Sequence, residues 1–377
     1  MALPDPVPAA LFDPPGGFLD AWNPEDLVYF ALNVGDGDTQ LLVLPVRAGE
    51  RRRCIVVDVA SARKLADLTR ALVDADRLEL HPELFAIVVA THPHQDHIGG
   101  MPRFLDAFEA QIDELWEPGY FHPSGAYGEM MRALEDNDIR HTQPAAGMTR
   151  FLSGVKVTVL SPGVSLRHRF DSYGIEINNA SISLKLDFPA TRVVEEGENR
   201  RLRKPSPQSL VLGGDAQTLS WSQVLVDFPQ LGPDRTPVNQ ALGKARGLVP
   251  LRAKVFKVPH HGSKHGLSLE LVEAIEPKLS IVSSVGGGGR YAFPHRVAVE
   301  ALREALEPIA SNATGARTSD WELGIHYTGA RDDAGADLGT IALVMSPTGS
   351  KRELWRLGDA DTGAVDLSHA RRFTGPS

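Results

Sequence analysis

The sequence predicts an α/β fold in which layered sheets are covered by helices. Short apolar segments rich in β-branched residues recur along the chain, and segments with a helical spacing of apolar residues alternate with them. The chain has 377 residues, but neither an internal repeat nor an interdomain linker appears in it. We therefore predict one domain over residues 27–346, preceded by a Pro- and Ala-rich arm at 1–26 and followed by a strand and charged tail at 347–377.

Composition narrows the classes of function. The formal net charge is -9, which argues against a broad basic nucleic-acid-binding surface but leaves room for a local basic groove. No segment approaches the ~20 consecutive apolar residues of a membrane span, and the N-terminus lacks the pattern of a signal peptide. Cys54 is the single cysteine, so an intrachain disulfide is impossible and a core position is expected. We predict a soluble, cytoplasmic protein with no membrane partner.

The first part of the chain alternates strands with a helix. Asp-Gly between two apolar segments is a hairpin signal, so the segments on either side of Gly35-Asp-Gly-Asp-Thr39 are expected to pair. Leu65, Leu68 and Leu72 recur at helical spacing. Asp58 ends a strand just before this helix, a position from which an Asp can cap the helix. The predicted strands are 27–34, 40–46, 54–59 and 84–90, and the predicted helix is 61–76.

The remainder continues the alternation. The strands at 182–188 and 209–212 are expected to form a hairpin-like pair, and the polar segment 195–204 between them is expected to be a loop. Its basic end leaves two alternatives open, a solvated loop or a nucleic-acid contact. The other predicted strands are 114–116, 155–160, 254–258, 279–284, 321–327 and 339–346, and the predicted helices are 101–112, 124–135, 218–227 and 297–306.

A histidine-rich motif, Thr91-His-Pro-His-Gln-Asp-His-Ile-Gly-Gly100, follows the buried strand predicted at 84–90. His92 and His94 alternate and therefore project to one side of an extended chain, while the turn that follows can bring Asp96 and His97 to an adjacent point. Imidazole and carboxylate groups suit zinc or manganese, and two such ions about 3.5 to 4 Å apart are a recurrent device for hydrolysis. We favour a metal centre with two divalent ions over an exposed histidine-rich loop.

Two later strand ends carry further ligand-type side chains. Asp215 follows two glycines, where the backbone can approach closely, and a lone carboxylate there is well placed to bridge two cations. His260 and His261 precede Gly262, which permits a sharp turn beside the imidazoles. The spacing does not decide which of these two histidines binds a metal.

These motifs resemble those of metallo-β-lactamase-fold hydrolases. The match comprises H-X-H-X-D-H with Gly-Gly, Leu212–Ala216 and Lys257–Ser263, and it is similar to the soluble metallohydrolase domain of ComEC-type DNA-uptake proteins over Val28–Met345. The resemblance implies a single αββα sandwich with the metals at one edge between its sheets. It places the first ion on His92, His94 and Asp215, and the second on Asp96, His97, Asp215 and His261.

The resemblance also assigns supporting roles. It makes Asp58 a brace for the metal-binding loop and leaves His260 facing the substrate. This chain has Asn178 and Asn179 where many members of the family carry another histidine, so the first ion is expected to have fewer strong protein ligands. It also has Phe293 where the ComEC-type pattern has a histidine, and it retains His295.

Three functions are compatible with these features. The first is a DNA-cleaving nuclease or phosphodiesterase using metal-activated hydroxide, restrained by a regulatory protein because a free nuclease would endanger its own cell. Asp96 is expected to orient the hydroxide, and His260, Lys264 or His265 to steady the developing charge. The second is hydrolysis of a small-molecule phosphodiester, thioester or lactone, and the third is a metal-binding module without turnover. A nuclease predicts a basic groove built from Arg200, Arg201, Arg203, Lys204 and Lys264.

Overall fold

The computed structural model describes residues 4–47, 49–170, 176–190, 192–196, 200–204, 206–227, 251–286, 291–307 and 318–376. Within these residues a nine-stranded and a seven-stranded sheet pack face to face, with helices on their outer faces. This layered architecture confirms the predicted αββα sandwich. The two sheets take strands from different parts of the chain, so ligands far apart in sequence can meet at their common edge.

The first sheet has the spatial order β18-β17-β16-β1-β2-β3-β4-β5-β6. Its strands from β3 to β6 run parallel, and the remaining neighbours pair antiparallel. Its strands are β1 Leu27–Ala31, β2 Thr39–Val43, β3 Cys54–Val59, β4 Phe85–Val89, β5 Glu114–Trp116, β6 Arg140–Thr142, β16 Ile341–Met345, β17 Arg352–Arg356 and β18 Arg371–Arg372.

The second sheet has the order β15-β14-β13-β12-β9-β8-β7. Strands β12 to β15 run parallel, and β7, β8, β9 and β12 pair antiparallel. Its strands are β7 Thr149–Leu152, β8 Val155–Ser161, β9 Ser183–Phe188, β12 Gln208–Leu212, β13 Val255–Lys257, β14 Leu279–Val282 and β15 Ile325–Tyr327.

Eight α-helices are present in the described part of the chain. Ser61 and Ser124 cap the two longest by accepting from backbone N–H groups in the first turn. The helices are α1 Ala62–Asp74, α2 Gln95–Ile98, α3 Met101–Ala107, α4 Gly125–Asp136, α5 Val164–Arg167, α6 Thr218–Asp227, α7 Leu269–Ile275 and α8 Arg296–Leu306. None of the described helices is long and apolar enough to span a membrane.

Alternation along the strands fills two apolar layers. Leu27, Tyr29 and Ala31 of β1 point into the core between the sheets, whereas Val28 and Phe30 point to the layer under helices α1, α3 and α4. Both sets are buried, as expected of a strand with covered faces on either side. Cys54 is fully buried in the helix-side layer, which agrees with the expected core position.

Three segments differ from simple expectation. The prediction of a loop at 195–204 is wrong, because strands β10 Arg192–Glu196 and β11 Arg200–Lys204 pair there as an antiparallel hairpin. The segment 347–377 adds both β17 and β18 to the first sheet. In the N-terminal arm, Phe18 and Trp22 are buried in the helix-side layer. Apolar residues of the arm and tail therefore complete the core around the sheet edge.

Candidate metal centre

The candidate centre lies where strand ends from the two sheets meet. Strands β3 and β4 of the first sheet lead into Asp58 and the motif 92–97. Strands β12 and β13 of the second sheet lead into Asp215 and His261. In sheets with parallel strands, ligands collect beyond the carboxyl ends of the strands. The topology therefore brings together four segments of chain that are distant in sequence.

Local geometry folds the motif compactly. His94 stands at the N-cap position of α2, and the N–H of His97 donates to the His94 carbonyl at 3.0 Å. Gly100 ends the motif close to helix α1. A Cβ atom at this position would lie 2.5 Å from the backbone N of Ala62, so only glycine fits there. This turn places Asp96 and His97 beyond the two alternating histidines, as the sequence predicts.

The first ligand group contains His92, His94 and Asp215. His92 Nε2 lies 3.0 Å from His94 Nδ1 and 3.6 Å from Asp215 Oδ2. His92 and Asp215 are buried, whereas His94 is half-buried. One side of this group is therefore open toward solvent.

The second ligand group contains His97, Asp215 and His261, together with Asp38. The Nε2 atoms of His97 and His261 are 3.2 Å apart and lie 3.1 and 3.7 Å from Asp215 Oδ1. All four residues are buried. Because Oδ1 of Asp215 faces this group and Oδ2 faces the first, the Asp215 carboxylate stands between two adjacent ligand groups.

Hydrogen bonds at the outer ring nitrogens direct the inner nitrogens of His97 and His261 toward the candidate centre. His261 Nδ1 donates to the carbonyl of Ser283 at 3.0 Å, and His97 Nδ1 donates to Asp58 Oδ2 at 2.7 Å. The Nε2 atoms of both rings then converge with the Asp215 carboxylate, whose Oδ1 is buried without a hydrogen-bond partner. Converging acceptors of this kind require a cation between them. These residues therefore fit a divalent metal.

The titration behaviour agrees with this donor set. Burial holds the pKa of His92 well below its usual value, and burial also lowers the pKa of His94, so both rings are neutral and able to bind metal. Burial opposes a charge on His97, but the carboxylates of Asp215 and Asp58 hold the pKa of His97 well above its usual value. Without a metal, a proton on His97 supplies the positive charge that the buried carboxylates require.

Comparison with known proteins agrees with this fold. A family model described as the metallo-beta-lactamase superfamily matches residues 44–163, which include the motif 92–97. The chain is a metallo-β-lactamase-fold protein.

Individual relatives of this metallo-β-lactamase-fold protein are distant. ComE operon protein 3 of Bacillus subtilis is 22% identical over 229 residues, which is 60% of this chain and 24% of that protein, so the chain spans about a quarter of this relative's length. The metallo-β-lactamase fold protein YhfI from Bacillus subtilis is 10% identical, with a TM-score of 0.33 over 68% of this chain and 85% of that one. The short form of human tRNase Z is 12% identical, with a TM-score of 0.31 over 68% and 90%.

Asp58 braces the metal-binding loop of this metallo-β-lactamase-fold protein. Its Oδ1 accepts from the backbone N–H of Thr91 and its Oδ2 from the Thr91 hydroxyl, both at 2.8 Å, in addition to its bond with His97. The alternative, a cap for helix α1, is excluded because Ser61 occupies the cap position. Asp58 itself has a left-handed backbone, with φ of 59°, which non-glycine residues rarely adopt.

Backbone conformations with positive φ orient the side chains of Asp215 and His261. Gly214 has φ of +52°, and the N–H of Asp215 donates to the Ser181 hydroxyl at 3.2 Å. His260 and His261 both have positive φ, 50° and 52°. Consecutive left-handed histidines are strained and persist only where the surroundings enforce them. This backbone conformation directs the His261 ring toward the other residues of the second ligand group.

Asn178 and Asn179 have different hydrogen-bond partners. Asn178 is buried, with its side-chain Nδ2 3.4 Å from His260 Nε2. Asn179 points the other way, and its side-chain oxygen accepts from the N–H and hydroxyl of Ser220 at the start of α6. One asparagine therefore borders the candidate centre, and the other secures the helix that follows Asp215.

The four predicted catalytic residues occupy different depths. Asp96 lies at the rim, with a side chain 32% exposed and Oδ2 3.6 Å from His261 Nε2. His260 Nε2 lies 3.6 Å from Asp215 Oδ2. Lys264 and His265 are exposed, and the backbone N–H of Lys264 donates to His295 Nδ1 at 3.1 Å. Asp96 and His260 thus border the ligand groups, whereas Lys264 and His265 lie at the turn surface.

Sequence reasoning missed a buried ion pair beneath the second ligand group. Lys257 Nζ lies 2.9 Å from Asp38 Oδ2, and both side chains are fully buried. Burial opposes the charge on Asp38, but Lys257, His261 and His97 lower its pKa. Asp38 lies in the predicted hairpin turn Gly35–Thr39, and Lys257 begins the motif Lys257–Ser263. The available signal was a charged residue at each strand end within apolar surroundings.

Phe293 replaces a histidine of the ComEC-type pattern with an apolar ring. It is buried and stacks on His261, with ring centroids 5.6 Å apart and an interplanar angle of 26°.

The structure does not test the predicted basic groove, because the side chains of Arg200, Arg201, Arg203 and Lys204 lie outside the described residues. The groove stays a prediction.

Proposed function

We propose that this protein is a metal-dependent phosphodiesterase, specifically a nuclease that cleaves DNA. The observation that carries the proposal is the Asp215 carboxylate, whose two oxygens face separate ligand groups made of imidazole and carboxylate. Paired cation sites of this composition are a recurrent device for phosphoester hydrolysis. No thiolate takes part, since the single cysteine, Cys54, is buried in the core.

The residues divide into holders and substrate contacts. His92, His94 and Asp215 would hold one ion, and His97, His261 and Asp215 the other, with Asp38 or Asp96 as a further carboxylate. Bound zinc or manganese would supply Lewis acidity that polarises a phosphoryl oxygen and lowers the pKa of water from 15.7 toward about 7. Asp58 and the Ser283 carbonyl keep the His97 and His261 rings in the required tautomer.

Substrate contacts come from the open side of the groups. Asp96, part exposed at the rim, is placed to accept a hydrogen bond from the attacking water. His260 is placed to contact a phosphoryl oxygen, and the side-chain Nδ2 of Asn178 lies 3.4 Å from its Nε2. Lys264 adds a cationic group and His265 an imidazole at the surface of the same turn. Cationic and hydrogen-bonding groups around the ions suit an anionic phosphodiester.

The test is cleavage of end-labelled single- and double-stranded DNA with manganese, magnesium or zinc. Wild type would cleave with at least one metal, and Asp96→Ala and His97→Ala would each lose cleavage. His369→Ala is the matched control, because this histidine is exposed and pairs with Asp366 on the tail. Equal activity in wild type and His97→Ala would refute the assignment.

A second candidate is hydrolysis of a small-molecule phosphodiester, thioester or lactone. The net charge of -9 favours it, because an acidic protein repels long polyanions. Hydrolysis of bis-p-nitrophenyl phosphate without cleavage of any DNA would select this alternative. We further propose a cytoplasmic location and a regulatory protein partner. Fractionation of cells and co-purification with the catalytically silent Asp96→Ala variant would test these two points.

A further inference from the structure

We infer that Phe121 and Tyr291 stack against unpaired bases on either side of the scissile phosphate, which makes the substrate a single strand. This inference rests on the proposed function and deepens it by naming the form of nucleic acid. Phe121 is 73% exposed and Tyr291 is 50% exposed, and both are large aromatic residues near candidate ligands. Stacking on a base requires an exposed ring face, which both residues offer.

Tyr291 flanks the second ligand group through a stack of rings. Its ring centroid lies 5.7 Å from that of Phe293, with an interplanar angle of 27°. Phe293 in turn stacks on His261 at 5.6 Å and 26°. Each neighbouring pair of rings is thus stacked, and the series leads from the candidate ligand His261 to the surface. A planar base laid on Tyr291 would extend this stack.

Phe121 lies next in sequence to a histidine that contacts the first ligand group. It belongs to the loop after β5, and the next residue, His122, has its ring centroid 6.1 Å from that of His94. Tyr127 of helix α4 contacts the Phe121 ring edge to face, with centroids 6.0 Å apart. The ring is therefore supported from below while most of its surface faces solvent. Each of the two ligand groups is thus approached by a segment that carries an exposed aromatic residue.

The overall charge strengthens the case for stacking. A net charge of -9 gives a weak electrostatic attraction for a polyanion, whereas usual nucleic-acid-binding domains gain most of their affinity from cations. Base–aromatic stacking supplies affinity that does not depend on net charge and tolerates any sequence. A paired base offers no free face to a protein ring, because its neighbours in the duplex cover both faces. Two flanking rings therefore favour a strand whose bases are unpaired.

The experiment compares a single-stranded oligonucleotide with an abasic strand of the same length and phosphate spacing. Wild type is expected to bind and cleave the base-bearing strand better than the abasic strand. In Phe121→Ala and Tyr291→Ala this preference would fall by roughly 5- to 150-fold for each base that no longer stacks on a protein ring. Phe121→Trp and Tyr291→Phe would retain the preference, because they keep a flat ring.

Phe151→Ala is the matched control. Phe151 is 64% exposed, but it lies on β7 at the far end of the second sheet, so the preference should be unchanged. Binding is measured by fluorescence anisotropy in parallel with cleavage, so that the two proposals are separable. Base-dependent binding without cleavage would refute the nuclease and keep the aromatic contacts. Equal treatment of base-bearing and abasic strands by wild type, or an undiminished preference in both alanine variants, would overturn the inference.

Discussion

The buried pair of Lys257 and Asp38 gives a sharp test of how the two halves of the fold are joined. Asp38 precedes a strand of the first sheet and Lys257 ends a strand of the second, so their 2.9 Å contact crosses between sheets. At an effective dielectric constant of about 20, the attraction at this distance is about 6 kcal/mol before desolvation is subtracted. Lys257→Met would leave the Asp38 carboxylate buried without its lysine partner.

Breaking such a pair from one side costs about 3 to 5 kcal/mol. We expect that loss of unfolding free energy for Lys257→Met and a comparable loss for Asp38→Asn, measured by urea unfolding of the metal-free protein. The double variant carries no uncompensated charge and would regain much of the loss. Arg296→Ala breaks an exposed pair with Glu300 and would change stability by about 0.5 kcal/mol or less. Strictly additive effects of Lys257→Met and Asp38→Asn would refute the coupling.

Three further predictions concern protons and ligands. Asp58→Asn would weaken metal binding by about 10- to 100-fold in calorimetry, whereas Asp366→Asn, which breaks an exposed carboxylate–histidine pair, would leave it unchanged. Because the pKa of His97 is raised, the stability that its proton gives the metal-free protein is lost as pH rises through that raised value, and metal affinity should rise over the same range. A pH series of thermal melts, with and without manganese, would show the two curves diverging. Burial and Arg356 lower the pKa of His326 to about 3, so stability should fall as pH drops below about 6.5, by about 1.4 kcal/mol per unit. His326→Gln would flatten this acid limb in urea unfolding, and an unaltered limb would contradict the assignment.

Much of the fold could be predicted from the sequence because its signals are local. The strand at Cys54–Val59 has the predicted limits, and most helices begin and end within a few residues of expectation. The motif 92–97 was recognisable because its residues are adjacent in the chain. Asp215 and His261 were recognisable because each follows a strand and lies beside glycine. Signals of this kind need no knowledge of tertiary contacts.

What could not be predicted depends on partners distant in the chain. Asp38 resembles a solvent-facing hairpin residue, and only its contact with Lys257, 219 positions later, shows why it is buried. Strand β17 has charged residues that suggest a tail, yet Leu354 and Trp355 are buried because the strand lies against β16. The depth of Asp96 was equally hidden, since the turn of α2 carries it to the rim. Tertiary packing decided all three.

The order of the chain has a consequence for synthesis. Strand β1 lies beside β16, and His97 meets His261 across 164 positions. Domains emerge from the ribosome N-terminus first, and pairing between distant segments is slow because a large loop must close. A nascent chain that has exposed the motif 92–97 still lacks Asp215, His261 and the neighbour of its first strand. Chains that stall before these segments should therefore be inert toward any substrate, and the centre is assembled only after Asp215, His261 and β16 have been released.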